Sequence, residues 1–101
     1  MEVDTLSNIR KLVLDVLKPH KPDLVQYSDK LSSIRDVKGV SIFLNEVDQE
    51  TESVKIIVEG QRLNYENIRK AIEELSGSIH SLDAIYAGES IVDDVDTPQD
   101  R

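Results

Sequence analysis

Three groups of side chains in this sequence have chemistry beyond packing. The first is Asp15, a carboxylate inside the apolar run LVLDVL. A carboxylate withdrawn from water needs a partner or changes its pKa. Asp15 is thus a candidate general base or ligand-binding acid. The plainer reading is a cross-strand or intersubunit ion pair with Lys55 or Lys11, because structural pairs perturb titration too. The second group is His80 with Asp83, and His20. Imidazole moves protons near neutral pH and ligates metals, so His80 is the candidate proton carrier to accompany Asp15. Two scattered histidines in a chain without cysteine make no zinc spacing. Surface or interface hydrogen bonding suits that spacing better. The third group is Glu46, Asp48, Glu50 and Glu52, four carboxylates at alternate positions. Hard cations such as calcium take six to eight oxygens, so clustered acids can bind one. The run is not an EF-hand loop: its acids start one residue off and the required glycine is missing. A solvated turn, charged so that an edge strand does not aggregate, accounts for it more simply.

These groups must be positioned by the elements around them. Val40, Ile42 and Leu44 alternate with Ser41, Phe43 and Asn45; Val54, Ile56 and Val58 alternate with Lys55, Ile57 and Glu59. Period-two alternation rich in β-branched residues predicts two strands, and the polar DQETES between them predicts a reversal. Leu44 and Val54 flank that turn and are expected to share the core. The second face carries Phe43, Ile57 and Val47. Ile9 to Leu17 reads as a central first strand, with Leu12, Leu14 and Val16 on one face and Lys11, Val13, Asp15 and Leu17 on the other. Pro19 and Pro22 are expected to end it.

Asp23, with Gln26 three residues on, gives a capping-box start to a helix whose apolar stripe is Leu24, Tyr27, Leu31 and Ile34. Lys38 and Gly39 are expected to turn the chain into the hairpin. Asn64 caps a second helix with the stripe Tyr65, Ile68, Ala71, Ile72 and Leu75. Glu66 and Lys70 sit at i, i+4, and Gly77 is the expected left-handed stop. Residues 78–88 read as a fourth strand of irregular phase. Ile79 and Ile85 share one parity, Leu82 and Tyr86 the other, which predicts two covered faces or a bulge near Ser81.

A chain of 101 residues makes one domain, 1–101, with a core over 8–88 and an acidic tail over 89–101. The net charge is −8; in the tail, five acids against one base supply half of it. Such a chain repels phosphate backbones, so nucleic acid is not an expected partner. No apolar run approaches the roughly 20 residues of a membrane span, and MEVDTLSNIRK has no signal-peptide character. Without cysteine there is no disulfide framework. The expected compartment is the cytoplasm. No glycine-rich phosphate loop or nucleophile elbow occurs. The single phenylalanine does not make an RNA-stacking platform.

Strand, helix, strand occurs twice, at 9–47 and 53–88. Right-handed crossovers place both helices on one sheet face. The expected fold is α+β, a ferredoxin-like βαββαβ sandwich: a four-stranded antiparallel sheet, first and third strands central, two helices on one face. The other face carries Val13, Leu17, Phe43, Ile57 and Tyr86. That much bare apolar surface predicts self-association through this face, the edge strands or both, with Ile91–Val95 available to a neighbour's edge or to its own subunit. The segments LVLDVLKPHKP, GVSIFLNEVDQETESVKIIVEG and GSIHSLDAIYAGE, with DTPQD, resemble the archaeal domain-of-unknown-function family number 211 over nearly the whole chain. The resemblance implies a ferredoxin-like fold and a ring-shaped homo-oligomer, and it brings no catalytic residue. In a ring, several of the acidic turns would converge.

The leading expectation is a non-enzymatic homo-oligomer binding a cation such as calcium, a small ligand or a protein partner at its junctions. The alternatives are an enzyme with an intersubunit site using Asp15 and His80, and an allosteric small-molecule sensor.

Overall fold

Residues 8–89 are described by a computed structural model of the chain. The elements run β1 (Ile9–Pro19), α1 (Leu24–Ser32), β2 (Val37–Val47), β3 (Thr51–Gly60), α2 (Tyr65–Glu74) and β4 (Ser78–Ala87). The sheet order is β2-β3-β1-β4, antiparallel throughout. This is the α+β ferredoxin-like arrangement, with β1 and β3 central. Residues 1–7 and the tail from 90 onward, with the Ile91–Val95 segment expected to meet a neighbour's edge or its own subunit, lie outside the described residues.

Alternation decides the core. Leu12, Leu14 and Val16 of β1 and Val54, Ile56 and Val58 of β3 are fully buried on one face. Tyr27 and Leu31 of α1 and Ile68, Ala71 and Ile72 of α2 close over them. Among the described residues no helix covers the opposite face, where Val13 and Ile57 are half-buried and Leu17 and Phe43 are exposed.

The helix starts follow the sequence chemistry. Asp23 Oδ1 accepts from the Gln26 N–H at 2.9 Å, and Gln26 Oε1 accepts from the Asp23 N–H at 3.0 Å. Asn64 Oδ1 accepts from the Asn67 N–H at 3.0 Å. Each side chain satisfies a donor that the first helical turn leaves free.

Several details differ from expectation. β1 does not stop at Leu17, because Lys18 and Pro19 still pair with Glu52 and Thr51 of β3. The reversal into the hairpin comes at Asp36, whose φ is 75°, and Lys38 and Gly39 already belong to β2. The tight turn is shorter than DQETES: the Asp48 N–H donates to Thr51 O at 2.8 Å, and β3 begins at Thr51. Leu44 does face Val54, but it is 48% exposed because β2 is an edge strand and the helix layer does not cover this corner. A register shift between Leu44 and Glu46 turns Val47 to the helix side, away from Phe43. Ile34 lies beyond α1, yet still packs on the core.

Glu66 pairs with Arg69 rather than Lys70, and the same guanidinium reaches Glu73 at 2.6 Å. The left-handed stop of α2 is Ser76, φ 69°, one residue before Gly77. The Ser76 N–H donates to Glu73 O and the Gly77 N–H to Ile72 O, each at 2.9 Å, a Schellman ending. Gly77 is required for space: a Cβ there would lie 2.6 Å from the Tyr27 hydroxyl oxygen.

The irregular phase of β4 has a definite cause. The register skips His80, between the Asp15↔Ser81 and Val16↔Ile79 pairs, and skips Asp83, between Val13↔Ala84 and Leu14↔Leu82. Two bulges therefore flank the expected position. They bring Ile79, Leu82 and Ile85, spaced by three, onto the helix side together.

Candidate functional site

The hairpin end of the helix-free face holds an open pocket of about 250 Å³. Its lining includes Asp15 and Leu17 from β1, Glu46 from β2, Asp48 from the turn, Ser53 from β3 and His80 from β4. Strand alternation places Asp15 and Leu17 on this face, opposite the buried Leu14 and Val16. The register shift after Leu44 sets Glu46 opposite Ser53, and the first β4 bulge brings His80 to the rim. Asp15 and His80, far apart in sequence, thus share one pocket.

The expected partners of Asp15 are engaged elsewhere. Lys55, its register neighbour, donates to Asp83 Oδ2 at 3.2 Å. Lys11 lies 3.7 Å from Glu59 Oε2 and sits over the Tyr86 ring at 4.9 Å. The Ser81 hydroxyl donates to Asp83 Oδ1 at 2.7 Å. That bond and the Lys55 ammonium hold the Asp83 carboxyl below its ordinary pKa. Asp15 has no hydrogen-bond or ion-pair partner among the described residues and is half-buried on the pocket floor.

The four turn acids separate. Glu46 and Asp48 line the pocket, whereas Glu50 is exposed at the tip of the turn. Glu52 faces the helix layer, opposite Val47 and Lys18. Among the described residues, no three His, Cys, Asp or Glu side chains converge as a metal site within one copy.

Glu52 belongs to a second cluster. Its Oε1 accepts from Lys18 Nζ at 2.8 Å and its Oε2 lies 3.1 Å from His20 Nδ1. His20 Nε2 reaches Gln49 O at 2.9 Å, tying the end of β1 to the tight turn. Lys18, then His20, holds the Glu52 carboxyl below its ordinary pKa; the Glu52 bond, then the Gln49 carbonyl, raises that of His20. Lys18 is buried and carries its ammonium over the Tyr27 ring at 5.1 Å. Burial, with the Glu52 charge nearby, pushes the Tyr27 phenol up to about 12. The sequence reading missed this cluster. The available signal was parity: Lys18 continues the even-numbered series Leu12, Leu14, Val16 into the core.

The comparisons agree on kinship. The model of the family DUF211, described as Uncharacterized ArCR, matches residues 10–101. "Uncharacterized protein MJ0319" of Methanocaldococcus jannaschii is 46% identical over 96 residues, covering 95% of this chain and 99% of that relative. Among the described residues, no helix is long and apolar enough to cross a membrane. The chain belongs to the DUF211 family.

Proposed function

We propose that this DUF211 member works as a non-enzymatic, cytoplasmic homo-oligomer that binds a cation, a small ligand or a protein partner at its subunit junctions. The observation that carries this reading is the sheet face that no helix among the described residues covers. Phe43 is 54% and Leu17 44% exposed there, around the half-buried Val13 and Ile57. Covering such side chains gains roughly 25 cal/mol per Å² of apolar surface removed from water. A second copy is the covering surface present wherever the chain is made.

The pocket supports the junction part of the reading. It opens at one end of the same face, so a docked neighbour closes over it. Its carboxylates Asp15, Glu46 and Asp48, beside the apolar Leu17, suit a cation: a hard metal ion completed by the neighbour's oxygens, or an ammonium with a short apolar body. Native mass spectrometry with and without EDTA tests both parts, reading subunit number and bound metal together. A stable monomer at micromolar concentration rejects the proposal.

One observation favours a second reading. Asp15 and His80 line the same pocket, which suits an acid–base pair in an intersubunit active site. Asp15→Asn would then leave the assembly intact and abolish turnover of its substrate. If the substitution dissolves the assembly, the carboxylate is structural.

A further inference from the structure

The outer edge of β4 leaves part of the core bare on the helix side. Ile79, Leu82 and Ile85 lie opposite the buried Val16, Leu14 and Leu12 of β1 and share their face. Ile79 packs on the core, but Leu82 and Ile85 stay 44% and 52% exposed. We propose that residues 91–95 of the same copy fold back over Leu82 and Ile85, with Ile91, Val92 and Val95 closing the core along that edge. The contact lies within one subunit, so it stands or falls independently of the oligomer reading above.

Three observations choose this occupant. The first is where β4 ends. The Gly88 N–H donates to Asn8 O at 2.9 Å, and Gly88 O accepts from Arg10 Nε at 2.6 Å, which pins the exit to the start of β1. The backbone bends at Gly88 and Glu89, and the Gly88 φ of 124° is one that glycine adopts freely. The chain thus leaves the line of β4 three residues after Ile85.

The second is reach. At no more than about 3.6 Å per residue, Ile91 and Val92 lie within roughly 14 Å of Gly88 and Val95 within roughly 25 Å. Back along β4, Ile85 is roughly 10 Å from Gly88 and Leu82 less than roughly 20 Å. The other large apolar side chains exposed among the described residues are Leu17, Val25, Phe43, Leu44 and Val47. All of them lie toward the hairpin end, on β1, β2 or the start of α1. Leu17 is roughly 26 Å along β1 from Ile9 at ordinary strand rise, and Leu44, in the row of Val16, is three strands across as well. On the helix-free face near the exit, Val13, Ala84 and Tyr86 are already half-buried.

The third is the make-up of the segment. Ile91, Val92 and Val95 carry its apolar surface, and Asp93, Asp94 and Asp96 fall between and after them. Such a segment lies on a surface with its carboxylates toward water. Charge does not oppose the contact. Arg10 and Arg62 stand beside the exit, and Glu66 and Glu73 of the neighbouring helix are both held by Arg69. A tether of a few residues sets an effective concentration on the order of millimolar on its own copy, so at micromolar protein the segment docks there before it docks on a neighbour. β4 then has a covered edge, and β2 is left as the edge open to another chain.

Disulfide trapping in the full chain tests the contact, because the sequence has no cysteine. Ile85→Cys is combined with Ile91→Cys in one protein and with Val92→Cys in another. On mild oxidation at micromolar concentration, at least one pair is expected to lose both thiols while still running as a single copy on a non-reducing gel. Leu44→Cys with Val92→Cys, exposed but out of reach, is expected to keep both thiols. Urea unfolding gives an independent reading. L82S/I85S and I91S/V92S/V95S are each expected to lower the midpoint, and all five substitutions together to lower it by clearly less than the sum. A covalent dimer from the Ile85 pairs would place the segment on a neighbouring copy and overturn the docking within one subunit. Thiols that stay free in both Ile85 pairs, a Leu44 pair that oxidises as readily, or midpoint shifts that add in full overturn it as well.

Discussion

The Lys18 ammonium, shut away from solvent, meets Glu52 Oε1 at 2.8 Å across the β1–β3 ladder. It also donates to Pro19 O at 2.8 Å and lies over the Tyr27 ring. A charge in such a place is tolerated because an opposite charge and a carbonyl replace the water it has lost.

The two ends of this pair are not equivalent. Glu52→Gln strands the ammonium in a dry site, whereas Lys18→Met removes the charge and keeps an unbranched stem of similar shape. Glu52, still 17% exposed and bonded to His20, can then hydrate. Urea unfolding is expected to show a lower midpoint for E52Q than for K18M. The reverse order would mean that Glu52, not Lys18, bears the cost of burial.

His20 makes the hairpin turn depend on pH. Its folded pKa lies above the ordinary 6.5 because Glu52 and the Gln49 carbonyl favour the protonated ring. A group raised in the folded state contributes stability that is complete below its unfolded pKa and is lost as pH rises through the folded value. Glu52, lowered in the folded state, contributes above its unfolded value near 4.5 and loses its contribution as pH falls through the folded one. The His20–Glu52 bond is therefore fullest between the two ranges, at weakly acidic pH. An NMR titration is expected to place His20 above 6.5, and Glu52→Gln to lower it. An unchanged His20 titration in E52Q would contradict the stated cause.

Gly77 and Tyr27 share one space. A Cβ at residue 77 would lie 2.6 Å from the Tyr27 hydroxyl oxygen and 3.1 Å from Ile72 Cγ2. Gly77→Ala is expected to cost about 1–3 kcal/mol as overpacking. Tyr27→Phe loses the bond to Leu75 O at 3.0 Å, about 1 kcal/mol, and vacates the contested volume. The double variant is expected to be less destabilised than the sum of the two. Strict additivity in urea would show that the hydroxyl is not what excludes the methyl.

The fold was legible where period and caps agree. Leu12, Leu14 and Val16 against Val54, Ile56 and Val58 specify which sheet face is buried, and Asp23 and Asn64 specify where the helices begin. β4 was legible only as irregular, because a bulge leaves no mark of its own in residue type. Ile79, Leu82 and Ile85 look out of phase until His80 and Asp83 are removed from the count. The pocket was half legible. Asp15 stands out as an acid in an apolar run, but only the pairing register brings it to His80, 65 positions away. The turn acids misled because alternation implies a common face, and the shift after Leu44 together with the tight turn separates Glu46 from Glu52. Lys18 was missed because a lysine beside a proline reads as the end of a strand.

The paired bulges of β4 are two surplus residues set into an otherwise regular strand. Without His80 the strand would read Ile79, Ser81, Leu82, and without Asp83 it would read Leu82, Ala84, Ile85, so the apolar side chains would still alternate onto the helix side. β4 thus carries two residues of slack: a single deletion at either bulge straightens the strand without inverting it.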